Sequence, residues 1–228
     1  MLDFQEGCTL LVDKPYEWTS FDVVNKLRWN IKRKLGVKKI KVGHAGTLDP
    51  LATGLLIICT GKHTKLIEGL TADEKEYEGT FLLGKTTPSF DLETAYDNEF
   101  ATEHITAEHI EAVVAGFMGV QQQIPPVYSA KQIDGKRAYE FARAGKEVEM
   151  KANTIEIKKF EVDLSRFPEV DFTIRCSKGT YIRSIASDFG KKLDSGATLI
   201  ALRRTASGPF CVNEAKTVEE WIELINGN

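Results

Sequence analysis

Apolar residues recur along this chain with two periods, one of three to four residues and one of two, and the changes of period mark out its elements. Residues 8–13 form a short apolar run that reads as a buried strand, broken by Lys14-Pro15. A helix is predicted from Thr19 or Ser20, because Val24, Leu27, Ile31 and Leu35 fall on one stripe; Gly36 is placed to cap it. A short strand at 40–42 leads into Gly43-His44-Ala45-Gly46-Thr47-Leu48-Asp49-Pro50, whose glycine content predicts a loop. Residues 55–60 and 77–83 read as strands, and Ile110, Val113, Val114 and Phe117 mark a second helix.

Residues 123–126, Gln-Ile-Pro-Pro, interrupt the pattern, and Asp134-Gly135 offers a tight turn between a strand and a short helix at 137–144. This middle stretch is expected to project from the body. Polarity alternates over 154–162 and again at Val170, Phe172, Ile174 and Cys176, which predicts two half-buried antiparallel strands. Ile182, Ile185, Ala186, Phe189 and Leu193 give another amphipathic helix, 198–202 returns as a strand, and Thr217 with Glu220 forms a capping box opening a terminal helix. Strands outnumber helices and often follow one another directly, so the class expected is α+β with a mainly antiparallel sheet. No repeat and no Pro-, Gly- or Ser-rich linker divides the chain, and 1–228 is expected to be a single domain.

Composition narrows the setting. With 42% hydrophobic residues in 228, the chain can bury one substantial core or two small ones. Its longest purely apolar run, Leu-Leu-Ile-Ile-Cys at 55–59, is far short of the roughly 20 residues of a membrane-spanning helix. Asp3 and Glu6 precede the first apolar segment, the wrong charge order for a secretory signal, so a soluble cytoplasmic protein is expected. Cys8, Cys59, Cys176 and Cys211 are far apart and read as buried free thiols; His44, His63, His104 and His109 lack metal-ligand spacing, with His104 and His109 expected on or near one surface helix. The net charge of −3 hides an asymmetry. Lys26, Arg28, Lys32, Arg33, Lys34, Lys38, Lys39 and Lys41 lie in 23–48, which contains no acid, while Asp97, Glu99, Glu103, Glu108 and Glu111 cluster elsewhere. Such a basic stripe could steer a polyanion onto one face, or be no more than a solvated helix surface.

The loop at 43–50 is the most informative stretch. Its glycines allow close backbone approach around one acid, and Pro50 pushes Asp49 out of the helical region, so its carboxylate is presented by a turn. An isolated Asp-Pro is usually only a turn former. Here the run continues as Pro50-Leu51-Ala52-Thr53-Gly54-Leu55-Leu56 and Gly61-Lys62-His63-Thr64-Lys65. The whole segment resembles the catalytic motif of the tRNA pseudouridine synthase B family.

Further motifs match in order over about residues 8–210. Leu10-Leu11-Val12-Asp13-Lys14-Pro15 with Thr19-Ser20 is similar to the family's first motif, with Glu17 where a glycine is usual. Lys75-Glu76-Tyr77 is similar to its tyrosine motif, Cys176-Ser177-Lys178-Gly179-Thr180-Tyr181-Ile182-Arg183 to its arginine motif, and Leu202-Arg203-Arg204 to its last. Gln123 through Tyr128-Ser129-Ala130-Lys131, with Gly135, Arg137, Tyr139 and Ala142-Arg143, resembles its central insertion. Residues 84–91, Gly-Lys-Thr-Thr-Pro-Ser-Phe-Asp, are only loosely like the corresponding stretch, with Pro88 where an aspartate is common, and no role is carried over for Asp91.

The resemblance implies a pseudouridine synthase fold, a mainly antiparallel mixed sheet flanked by helices, with a thumb-like insertion at about 122–149 that grips RNA. It implies isomerisation of uridine 55 in the T loop of tRNA, with the T arm of tRNA as partner and with neither cofactor nor metal. The reaction breaks a glycosidic bond and makes a carbon–carbon bond between the same base and sugar without net redox change, which suits a carboxylate nucleophile. Asp49 takes that role, Arg183 is expected to pair with it and keep it ionised, and Tyr77 to stack on a uracil flipped out of its loop. His44 would contact displaced nucleotides, while Lys14 is a structural lysine, Lys131 a pocket lysine and Leu202 an apolar pocket wall. Lys131, Lys136, Arg137, Arg143 and Lys146 give the thumb phosphate-binding capacity. The additional C-terminal RNA-binding domain of many family members is expected to be absent, since the last motif falls so near Asn228; a monomer is expected.

Three other functions compete. A non-catalytic RNA-binding or tRNA-folding protein would suit the basic stripe, but a carboxylate such as Asp49 beside anionic RNA would only repel it. A nucleotide-dependent enzyme is suggested by Gly54 and Gly61-Lys62, yet six residues separate the glycines where a phosphate loop has four, and His63 stands where Ser or Thr belongs. A metal-dependent hydrolase built on His44 and Asp49 lacks a third ligand.

Overall fold

Strands form here where apolar positions meet a partner strand in register, and that pairing, more than local preference, sets where they end. The computed structural model describes residues 2–129, 131–133, 136–143 and 150–227. In chain order the main elements are β1 (Thr9–Lys14), α1 (Ser20–Leu35), β2 (Val42–Ala45), β3 (Ala52–Thr60), α2 (Ile67–Ala72), β4 (Lys75–Leu83), α3 (Ala107–Ala115) and β5 (Gly119–Gln123). They continue with α4 (Ala138–Arg143), β6 (Asn153–Arg166), β7 (Glu169–Cys176), α5 (Ile182–Lys192), β8 (Ala197–Ser207) and α6 (Val218–Asn226). The class is α+β, a large mixed sheet with helices flanking it, as the strand-rich pattern predicts. The chain divides into two compact units, Met1–Glu78 with Leu202–Asn228, and Gly79–Ala201. The turn expected at Asp134-Gly135 and residues 144–149 of the expected thumb, Lys146 among them, lie outside the described residues. No helix among the described residues is long and apolar enough to cross a membrane.

In the first unit β3 is the spine, with Leu55, Leu56, Ile57, Ile58 and Cys59 fully buried. β1 lies antiparallel to it from Thr9 opposite Cys59 to Lys14 opposite Gly54. β2 is antiparallel to its end, Val42 opposite Thr60 and Ala45 opposite Ile57, and β8 is parallel to its start, Leu202 opposite Ala52 and Arg204 opposite Gly54. The predicted loop therefore yields its first three residues, Gly43, His44 and Ala45, to β2, and β3 begins at Ala52 rather than Leu55. Pairing recruits residues whose own preference is irregular. α1 starts at Ser20 behind a capping box formed by Thr19 and Asp22, and Gly36 closes it as predicted, at φ 66°. Its Val23, Val24, Leu27 and Ile31 are buried. Each such side chain contributes about 1.5–3 kcal/mol on burial, more than the residues' intrinsic helix preference.

In the second unit β6 is antiparallel to β7, Ile157 opposite Cys176, and to β5, Asn153 opposite Gln123. β5 reads Gly-Val-Gln-Gln-Gln, which carries no strand pattern of its own; the partner strand makes it one. Five phenylalanines, Phe81, Phe117, Phe160, Phe172 and Phe189, pack as an aromatic core, with Phe81 stacked on Phe172 at 4.2 Å. Phe189 comes from α5, whose Ile182, Ile185 and Ala186 are buried on the predicted stripe.

Candidate active site

The loop that carries Asp49 is held at nearly every carbonyl. Gly46 opens it at φ 93°, and its carbonyl accepts from Arg204 Nη2 at 3.2 Å. Leu48 is clasped by Ser20 Oγ, which accepts from the Leu48 N–H at 2.8 Å and donates to its carbonyl at 3.2 Å. The Asp49 carbonyl accepts from the Ala52 N–H at 3.1 Å, and the Pro50 carbonyl from Lys14 Nζ at 3.2 Å. Asp49 itself is half-buried. A backbone so fixed limits the positions that the Asp49 carboxylate can take.

Lys14 is fully buried at the end of β1 and spends its three protons on carbonyls, those of Pro15 at 2.9 Å, Trp18 at 2.6 Å and Pro50 at 3.2 Å. Burial lowers its pKa to about 8, and the Arg204 charge acts in the same direction while Asp49 and Asp22 oppose it. Arg204, 1% exposed, donates Nε to the Leu55 carbonyl at 2.7 Å as well as reaching Gly46. His44 stands in β2 opposite Ile58, half-buried. Its pKa is lowered by burial first and by Arg204 second, against a backbone hydrogen bond at Gly46, and its buried Nδ1 has no hydrogen-bond partner among the described residues. Leu202 lies half-buried opposite Ala52, and Tyr77 is buried in β4. Two residues before it, Lys75 ties down the end of α2, donating to Thr71 O at 2.8 Å and Asp73 O at 2.5 Å. The first unit thus brings Lys14 and Leu202 to the two flanks of the Asp49 loop.

Arg183 and Lys131 belong to the second unit. Arg183, 3% exposed in the first turn of α5, donates Nη1 to Tyr128 O at 2.8 Å and to Ser89 O at 3.4 Å, and its Nε lies 3.5 Å from Asp91 Oδ2. Asp91 is positioned in turn: its carbonyl accepts from Thr87 Oγ1 at 2.6 Å and Ser89 Oγ at 3.1 Å, and its Oδ1 from the Glu93 N–H at 3.0 Å. Gln123 grips the start of α5 through both amide atoms, to Tyr181 O at 3.0 Å and Tyr181 N at 2.8 Å. Lys131 Nζ donates to Asn153 Oδ1 at 2.7 Å and Lys151 O at 2.9 Å. The side chains of Lys136, Arg137, Tyr139 and Arg143 lie outside the described set.

Sequence reasoning gave no role to Ser20, Arg204, Asp91 or Gln123, which hold the Asp49 loop, Arg183 or the start of α5 by contacts that reach across the chain. For Asp91 the signal was local: Thr87, Ser89 and Thr94 are placed to build a hydroxyl-lined turn around it.

The proteins that this chain resembles in sequence are named as pseudouridine synthases. The model of the TruB family pseudouridylate synthase (N terminal domain) matches residues 32–182. The tRNA pseudouridine synthase B of Phocaeicola vulgatus is 54% identical over 97% of this chain and 96% of its own length. That of Parabacteroides distasonis is 52% identical over 100% and 97%, and that of Flavobacterium johnsoniae 53% identical over 93% of each. Among solved structures, a Cbf5-Nop10-Gar1 complex contains a chain that superposes with a TM-score of 0.72 at 29% identity. The match covers 96% of this chain and 54% of that one, so the protein spans about half the length of that relative. With the held aspartate loop, the buried arginine and the tyrosine strand accounted for in sequence order, the chain belongs to the TruB family of pseudouridylate synthases.

Proposed function

We propose that this protein converts uridine 55 in the T loop of tRNA to pseudouridine, with Asp49 as nucleophile. The observation that carries the reading is the fastening of the Asp49 loop, whose carbonyls at Gly46, Leu48, Asp49 and Pro50 each have a donor. In the reaction the bond between ribose C1′ and N1 of uracil breaks, the detached base turns, and C1′ bonds to C5. N1 gains a proton and C5 loses one, so atoms and charge balance with no external reactant. The Asp49 carboxylate bonds transiently to C1′ or to C6 and leaves when the new nucleoside closes. A uridine stacked in its loop is out of reach, so the base is flipped out, with Tyr77 as its platform and His44 against the displaced nucleotides. Arg183 is proposed as the cation for Asp49, Lys131 and Leu202 as pocket groups, and Lys14 as the anchor of the loop.

The test is to incubate the protein with an unmodified T-arm hairpin and map pseudouridine, with Asp49→Asn alongside. Product at position 55 from the parent and none from the variant is expected. Product from Asp49→Asn at the parental rate would remove Asp49 from the mechanism, and binding without product by both would favour an RNA-folding role.

A further inference from the structure

The basic stretch read from the sequence becomes, on α1, a surface with a second component. One face of the helix is buried, and the other carries Phe21, Asn25, Arg28, Trp29, Lys32 and Arg33 at three- and four-residue spacing. Phe21 is 59% exposed and Trp29 58%, unusual for large aromatic residues on a helix that also turns a full apolar stripe inward. A guanidinium lies over each ring, Arg28 at 5.9 Å from the Phe21 centroid and Arg33 at 5.5 Å from that of Trp29. The one acid on this face, Asp22, is occupied in the capping box with Thr19. No acid follows it through Leu48.

The placement of this face matters as much as its chemistry. Ser20, next to Phe21, is the residue that clasps Leu48, so the stripe begins beside the Asp49 loop and leads away from it. Phe21 and Trp29 stand eight residues apart, about 12 Å along the helix axis. Cations that track phosphates, interleaved with open aromatic faces, are the combination by which proteins hold unpaired nucleotides. We propose that the exposed face of α1 is a second RNA contact, on which Phe21 and Trp29 stack unpaired bases of the RNA whose target uridine enters at Asp49. The occupant rests on the function proposed above; the face itself does not depend on catalysis.

Tryptophan fluorescence reads the contact directly. Titration of the parent with an unmodified tRNA transcript is expected to quench emission, and Trp29→Phe is expected to lose that quench while Trp18 and Trp221 remain. Phe21→Ala with Trp29→Ala together is expected to weaken binding about thirtyfold or more. Arg28→Gln and Arg33→Gln should each reduce the salt dependence by about one ion. A single-stranded oligonucleotide should compete better than a duplex of equal length. Asp49→Asn should keep the quench, so a parent that is quenched by RNA yet makes no pseudouridine would overturn the catalytic reading and leave this one standing. The proposal fails if the quench survives Trp29→Phe, or if the double alanine variant, with parental circular dichroism, binds RNA as the parent does. It also fails if Trp29→Ala disperses a dimer without touching RNA affinity, which would make the face a contact between copies.

Discussion

Arg183 and Asp91 face each other in the interior of the second unit, Nε 3.5 Å from Oδ2, with side chains only 4% and 7% exposed. A cation in the first turn of a helix opposes the macrodipole, so acceptors arrayed around Arg183 must hold it there. Removing the Asp91 carboxylate takes one anion away from a buried guanidinium. Asp91→Ala is expected to lower the unfolding free energy by about 3 kcal/mol, and Asp91→Asn by less, because the amide oxygen still accepts. Urea denaturation measures both, and equal losses for the two would contradict an electrostatic origin.

Glu17 has φ 64°, a left-handed conformation that costs a side-chain-bearing residue free energy, at the position where the family motif usually has glycine. Glu17→Gly is expected to raise stability by about 0.5–1 kcal/mol, the relief of strain being partly offset by the greater freedom of glycine in the unfolded chain. A rise in melting temperature with unchanged RNA affinity is the expected result.

Gly54 presents the opposite case. At φ 99° its missing Cβ would lie 2.4 Å from the Arg204 carbonyl oxygen and 2.8 Å from the Arg204 nitrogen, both backbone atoms of the parallel partner strand. Neither can swing aside. Gly54→Ala is expected to cost more than about 3 kcal/mol, since strain and overpacking coincide. Unfolding in urea at the parental midpoint would show that β3 and β8 can separate without penalty.

What the sequence made legible follows from how the site is built. The Asp49 loop was readable because its residues are contiguous and its motif long. The α1 stripe as far as Ile31, its Gly36 cap and the β6 and β7 alternation were readable because each element carries its own pattern, whereas Leu35, read as part of the stripe, is exposed. Ser20 reaches Leu48 across 28 positions and Arg204 reaches Gly46 across 158, and no local pattern encodes such a contact. The same holds for β5, whose glutamines become a strand only through β6. Arg183 could be named from its motif, but its neighbour Asp91 sits in the stretch least like the family.

Lys14 makes stability depend on pH in a direction opposite to that of an ordinary surface lysine. Its pKa is lowered from 10.5 to about 8, chiefly by burial. Below about pH 8 the ammonium is charged in both states and its burial is a standing cost. As pH rises from about 8 to 10.5 the folded chain releases the proton first, so the unfolded chain binds more protons and stability increases, by at most about 3 kcal/mol from this group. Buried Cys8 and Cys59, whose thiols are pushed up mainly by burial, act the other way above the ordinary thiol range. Comparing the parent with Lys14→Met in urea at pH 7 and pH 9.5 cancels the thiols. The parent should gain on the variant as pH rises; a constant difference would show that Lys14 keeps an ordinary pKa.

Arg204 offers the sharpest separation of position from charge. Its guanidinium joins β3, through Leu55 O, to the mouth of the Asp49 loop, through Gly46 O, with two donors in a fixed fork. Lysine can supply the charge at this depth but only as a point donor, and cannot hold both carbonyls in the same geometry. Arg204→Lys is therefore expected to fold, with a loss of about 1–3 kcal/mol for the carbonyl left without its donor. Its loop amides at 46–52 should exchange faster than in the parent. With Asp49 as the proposed nucleophile, the loss on the T-arm hairpin should appear in kcat, because a displaced carboxylate would bind RNA no worse but attack less often, with KM little changed. A variant that lost affinity at constant kcat would instead place Arg204 among the groups that hold RNA, and unchanged exchange at 46–52 would mean that Ser20 and Lys14 fasten the loop without it.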